Sequence, residues 1–144
     1  MMDKANAGME VSDQIDLGMC LENGTAVGGY DLVSYHQEGG PVPGIEEFAA
    51  DHAGSRYLFS SQTNLDTFVA TPDIYVPAYS GFCAITLALG RVTCPEYTNF
   101  KIENHQLLLF EVTGFTNGRT VWNSDAASYR QQADTNYGRL IDSQ

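Results

Sequence analysis

The chain has 144 residues, enough for one domain with a substantial core, and a formal charge of −11 with only seven basic residues. That balance disfavours a nucleic-acid backbone or an anionic membrane surface as partner, and no apolar run approaches the ~20 residues that a membrane span needs. Asp3, Glu10, Asp13 and Asp16, with no apolar stretch among them, are unlike a secretory leader. The chain is therefore cytosolic, or the sequence starts after a removed leader.

Residues 1–16 are polar and read as a flexible lead-in, with one folded domain over 17–144. Glu22-Asn23-Gly24 is a tight-turn signal. Gly28-Gly29 leads into Tyr30-Asp31-Leu32-Val33-Ser34-Tyr35, a first helical turn or a short strand, and Gly39 to Gly44 is a loop by composition. Phe48 to His52 and Arg56 to Phe59 flank Ala53-Gly54-Ser55 as a β-hairpin. Ser60 or Ser61 caps a helix whose apolar positions Leu65, Phe68 and Val69 fall at helical spacing. Thr71-Pro72 ends it, because the residue before proline is pushed out of the α region. Ala78 to Gly81 is a small-residue entry to the apolar run Cys83 to Leu89, closed by Gly90. Asn99 to Glu103 and Gln106 to Glu111 form a second hairpin through Asn104-His105, and Gly114 to Gly118 is a turn. Val121-Trp122 passes into a last helix, capped by Ser124 or Asp125 and covering Ala126 to about Ala133. The expected architecture is α+β: a single small domain with two β-hairpins and three or four short helices.

Three ordered motifs carry a resemblance. They are Gly29-Tyr30-Asp31-Leu32-Val33-Ser34-Tyr35, then Tyr57-Leu58-Phe59-Ser60-Ser61, then the run from Phe68 through Pro72, Tyr75, Pro77, Tyr79, Gly81, Phe82 and Cys83 to Ala84. In this order they resemble the YHS domain, specifically its small free-standing members, over roughly Gly24 to Leu140. The resemblance implies a YHS-like fold and, through Cys83, a metal-binding cysteine. Metal-transporter-associated members carry further cysteines where this chain has Ser60 and Asn64, so a zinc site of that pattern is not expected here.

Cys83, at a helix start, is either a reactive thiolate or soft-metal ligand, or a small buried hydrophobe. Cys20 and Cys94 match no cysteine of the free-standing members. Two additional cysteines in one chain point to a disulfide between them and to an extracytoplasmic or secreted protein; the alternative is three reduced thiols in a cytosolic one. His36 is a candidate ligand beside Asp31 and Cys83, since imidazole and thiolate together suit zinc or copper. His52 and His105 read as exposed turn residues. Tyr30, Tyr35, Tyr57, Tyr75, Tyr79 and Phe82 read as an aromatic cluster around the Cys83 helix entry, and a cavity there would take an apolar ligand.

The leading expectation is a non-catalytic, soluble YHS-like domain that binds or senses a copper, zinc or iron ion through Cys83, with His36 and Asp31 as further ligands. The alternative is a small-molecule or protein binding module that uses the Tyr/Phe pocket without metal. A thiol enzyme with Cys83 as nucleophile, His36 as base and Asp31 as orienter is a third option, but no oxyanion-hole or phosphate-loop motif accompanies it.

Overall fold

Three two-residue turns set the strand pairing. Asn23-Gly24, Ala53-Gly54 and Asn104-His105 each place successive residues at positive φ (55° and 82°, 52° and 86°, 53° and 68°). That is the twist which closes antiparallel strands most tightly. The turns join β1 (Leu21–Glu22) to β2 (Thr25–Ala26), β3 (Ile45–His52) to β4 (Ser55–Phe59), and β5 (Glu96–Glu103) to β6 (Gln106–Phe110). The last two are the hairpins expected from the sequence. The computed structural model describes residues 20–142; the expected flexible segment 1–16 lies outside the described residues.

The first two hairpins merge into one four-stranded sheet, ordered β1-β2-β4-β3. Its unusual contact is the parallel pairing of β2 with β4, where Thr25 faces Arg56. Gly44 permits the approach of the preceding loop to β4. A Cβ at this position would sit 2.3 Å from the carbonyl carbon of Leu58, a distance no side chain tolerates. The Tyr30–Tyr35 motif forms a helical turn, one of the two expectations for it. It ends in a 3-10 turn over Val33–His36.

α1 (Gln62–Ala70) starts where expected, with the Ser61 side chain accepting the Asn64 N–H, and it stops at Thr71. α2 (Pro72–Tyr75) is a single turn begun by proline, whose missing N–H costs nothing at that position. Cys83 stands at the N-cap of α3 (Ala84–Ala88), as its place before the apolar run implies. A small hairpin of β7 (Val112–Thr113) and β8 (Thr116–Asn117) then delivers Asn117, whose side chain accepts the N–H groups of Arg119 and Thr120 and starts α4 (Gly118–Ser124).

The C-terminal region departs from the sequence expectation. Val121 and Trp122 lie inside α4, and Asp125, at φ −161°, breaks the chain before α5 (Ala126–Asp142). Among the described residues there are thus five α-helices rather than three or four, and the last runs for 17 residues rather than ending near Ala133. Its buried and half-buried positions Ala126, Tyr129, Ala133, Tyr137 and Leu140 continue a helical stripe well past that point.

Two hydrophobic clusters form the interior. One gathers α3, α4 and α5 around Phe82, Cys83, Leu87 and Trp122; the other gathers the four-stranded sheet and α1 around Tyr35, Phe59 and Phe68. Strand β6 serves both. Leu108 and Phe110 face the first cluster, Leu107 and Leu109 the second, and none of the four is more than 1% exposed. An uninterrupted apolar run is what a strand buried on both faces requires.

A disulfide joins Cys20 to Cys94 across a sequence separation of 74 residues. It ties the start of the four-stranded sheet to the segment that enters β5. In the chain-entropy picture a closed loop of that length is worth about 4 kcal/mol. Replacing both cysteines with serine should therefore lower the unfolding free energy by about that amount in urea titrations; a loss below about 1 kcal/mol would show that the reduced chain keeps the constraint by other means.

Candidate functional site

The three residues expected as metal ligands occupy different surroundings. Cys83 is fully buried in the helical cluster, and its Sγ accepts the N–H of Glu111 at 3.1 Å. Asp31, also fully buried, is a junction. Its Oδ1 accepts the N–H groups of Val33 and Ser34 at 2.9 and 3.2 Å. Its Oδ2 accepts Ser60 N–H, Ser60 Oγ–H and the Asn64 amide at 2.8, 2.7 and 2.8 Å. Five donors leave those oxygens little capacity for a cation.

His36 lies half-buried, its ring edge-on to Tyr75 at 5.3 Å. Its Nε2 is buried without a hydrogen-bond partner among the described residues, and burial, assisted by the nearby His105, pushes its pKa below the ordinary histidine value. Among the described residues no three His, Cys, Asp or Glu side chains are grouped so that they could hold a metal ion. Cys83, His36 and Asp31, the donor set expected from the sequence, are not among such a group.

The aromatic residues expected to surround Cys83 divide between the two clusters. Phe82 and Tyr79 belong to the helical cluster with Cys83, whereas Tyr35 and Tyr57 are buried in the other, with Tyr30 and Tyr75 packed at its margin. Tyr35 is anchored: its hydroxyl donates to the Tyr97 carbonyl at 2.6 Å and its ring meets Phe100 edge-on at 5.2 Å. Tyr57 and Tyr79 of the six line one cavity together.

That cavity is a half-open cleft of about 390 Å³. Its floor and walls come from four places. The β3–β4 turn supplies His52, Ser55 and Tyr57, and the stretch after α1 supplies Asp73, Val76, Pro77, Ala78, Tyr79 and Ser80. Gln106 closes one side from the head of β6, and Tyr137 the other from α5. Tyr79 and Ser80 both adopt left-handed backbone conformations, at φ 59° and 55°. A non-glycine residue pays about 1–2 kcal/mol for such a φ. The conformation turns Tyr79 onto α5, where its hydroxyl donates to Asp134 Oδ1 at 2.6 Å and receives Arg130 Nη1–H at 3.1 Å. Ser80 pairs with the Tyr137 hydroxyl, and the Tyr79 and Tyr137 rings meet edge to face at 5.7 Å.

Arg130 is itself held by Glu103 at 3.5 Å and donates to Gln106 at 3.0 Å. Glu103 also accepts the Trp122 indole N–H and pairs with Lys101, and these donors together hold its carboxyl below the usual range against the opposing effect of burial. Burial pushes the Tyr57 and Tyr79 hydroxyls up; the Asp134 hydrogen bond adds to the effect at Tyr79 and Arg130 opposes it. Both phenols are therefore neutral throughout the physiological range. The cleft is lined in part by tyrosines, with His52 in its wall and one carboxylate, Asp73, exposed at its rim.

Reading the sequence missed Tyr137, Arg130, Asp134 and Ser80 as parts of one site, and assigned His52 to an exposed turn; His52 is half-buried, edge-on to Phe68 at 5.7 Å. The available signal was the spacing of Arg130, Asp134 and Tyr137, which share a helix face only if α5 extends beyond Ala133.

No protein-family model matches the chain, and neither the curated proteins nor the solved structures yield a match.

Two outcomes test the assignment of Asp31 and His36 to structural roles. Asp31→Ala strands several buried donors and should cost about 3 kcal/mol or more in urea unfolding; a loss under about 1 kcal/mol would show that the junction is not needed. At His36 the folded state disfavours protonation, so its contribution is complete above the unfolded value of about 6.5 and is lost as pH falls below it towards the lowered folded pKa. The unfolding midpoint should fall more steeply as pH drops below about 6.5 in the native chain than in His36→Gln, and parallel profiles would contradict this.

Proposed function

We propose that the protein is a non-catalytic, YHS-like binding domain that holds a small molecule in the Tyr57–Tyr79–Tyr137 cleft. The observation that carries this reading is the convergence of three tyrosines from separate elements on one cavity of about 390 Å³. That volume lies within the range of small-molecule sites, which combine apolar walls with a few fixed polar groups. The Gln106 amide and the Asp73 carboxylate supply polar groups here, and Val76, Pro77 and Ala78 the apolar wall. The left-handed Tyr79-Ser80 pair supports the same reading, because backbone strain of this kind persists where its surroundings over-determine it, and such places cluster at binding sites.

The Cys20–Cys94 disulfide supports an extracytoplasmic setting, where such bonds persist. Metal binding through Cys83, His36 and Asp31 finds less support, since the thiol is buried against Glu111 and the carboxylate is saturated by five donors.

A fragment screen by two-dimensional NMR on the full chain tests the proposal. Fragments that bind should shift resonances in 52–57, 73–80 and around Tyr137, and Ala78→Trp, which fills the cleft, should abolish those shifts while leaving the fold intact. Hits confined to other surfaces would refute the cleft. So would near-stoichiometric copper, zinc or iron in the purified protein that disappears in Cys83→Ser, which would return the metal reading to first place.

A further inference from the structure

We infer that the cleft selects a small organic cation, an amine or quaternary ammonium, over neutral or anionic molecules of the same shape. The inference rests on the cleft being the binding site. Three features of the lining point the same way. First, among the described residues the lining contains no lysine or arginine, and its single carboxylate is Asp73, exposed at the rim. In a chain of formal charge −11, an anion would meet repulsion and no compensating donor charge.

Second, three tyrosines contribute to the lining. Tyr79 and Tyr137 meet at 5.7 Å with their ring planes 70° apart, which makes a corner, and Tyr57 lines the same cavity from the sheet. The negative face of a tyrosine ring attracts a cation, most strongly where water is partly excluded, and a group of such rings is a general means of holding alkylated ammonium ions. Tyr79 already takes part in one such contact, with the Arg130 guanidinium carbon 5.9 Å from its ring centroid. Arg130 does not leave the site cationic, because Glu103 pairs with it and Asp134 lies beside the hydroxyl they share.

Third, the walls are held before any ligand arrives. Ser80 pairs with the Tyr137 hydroxyl, and the Tyr79 hydroxyl is fixed between Asp134 and Arg130. Side chains whose polar ends are already engaged lose little freedom when a ligand binds. A sugar, the leading neutral competitor, needs free hydrogen-bonding groups, and those of Tyr79 and Tyr137 are taken.

Titration calorimetry of the full chain at low salt, with choline and with 3,3-dimethylbutan-1-ol as probes, tests this directly. The two molecules share a shape and differ by the charge at one atom. Choline should bind at least tenfold more tightly. Tyr137→Ala should weaken choline about tenfold, Tyr137→Phe should stay within threefold of the native chain because the ring face remains, and Asp73→Asn should weaken it two- to fivefold with a shallower salt dependence. Equal binding of both probes at the cleft would overturn the cation preference and leave the cleft as a site for neutral ligands. Failure of both probes, while neutral fragments still map to 52–57 and 73–80, would overturn it in the same way. Failure of both with no fragment mapping to the cleft would remove the binding reading itself.

Discussion

Burial of β6 on both faces is the constraint on which the rest of the molecule depends. A strand with one wet face can be covered by a single layer, but Leu107 to Phe110 demand apolar partners above and below. The sheet and α1 provide one side, and α3, α4 and α5 the other. Each of those four side chains contributes about 1.5–3 kcal/mol by leaving water, so neither layer can detach without exposing two of them. This is why a chain whose β-structure is divided among small sheets still behaves as one domain.

The cleft follows from that two-layer arrangement. Tyr57 comes from the sheet layer, Tyr79 and Tyr137 from the helical layer, and Gln106 from the head of the shared strand. The seam between layers is where close packing is hardest to complete, and cavities collect at such seams. Asp31 has the complementary task away from the seam. Its carboxylate fastens the Val33–His36 turn to the junction of β4 and α1, replacing with five hydrogen bonds the water it gave up. A charged residue so used is expensive to bury and poorly placed to serve chemistry as well.

Local structure was legible in the sequence wherever a single residue type dictates a backbone conformation. Asn23-Gly24 and Ala53-Gly54 turned as their glycines require, Ser61 capped α1, and Thr71-Pro72 ended it. The Cys20–Cys94 pairing was legible from an excess of cysteines. What stayed hidden depends on distance in space. Asn117 lies in a short hairpin whose strands are two residues each, too brief for any alternation to register, so the start of α4 went unseen. The half-polar stripe of α5, with Gln131, Gln132, Asp134 and Thr135 between its buried positions, blurs the apolar periodicity and hid the helix's second half. That half carries Tyr137. The tyrosines expected as one group instead separated across β6, because the first two motifs pack on its sheet side and the third crosses to the helical side between Tyr75 and Tyr79.

The covalent link between Cys20 and Cys94 also governs how the protein responds to load. Tension applied to the chain on either side of the bond passes from residue 20 directly to residue 94 and bypasses everything between. The whole four-stranded sheet, α1, α2 and the strained Tyr79-Ser80 pair lie inside that bypass, whereas β5, β6 and α5 lie outside it. Pulled taut, the bridged chain is shorter than the reduced one by about 250 Å, the contour of the sequestered residues. Mechanically, the molecule is a shielded loop attached to a tear-away hairpin and helix, and thiol–disulfide chemistry, rather than force, decides whether the loop is released.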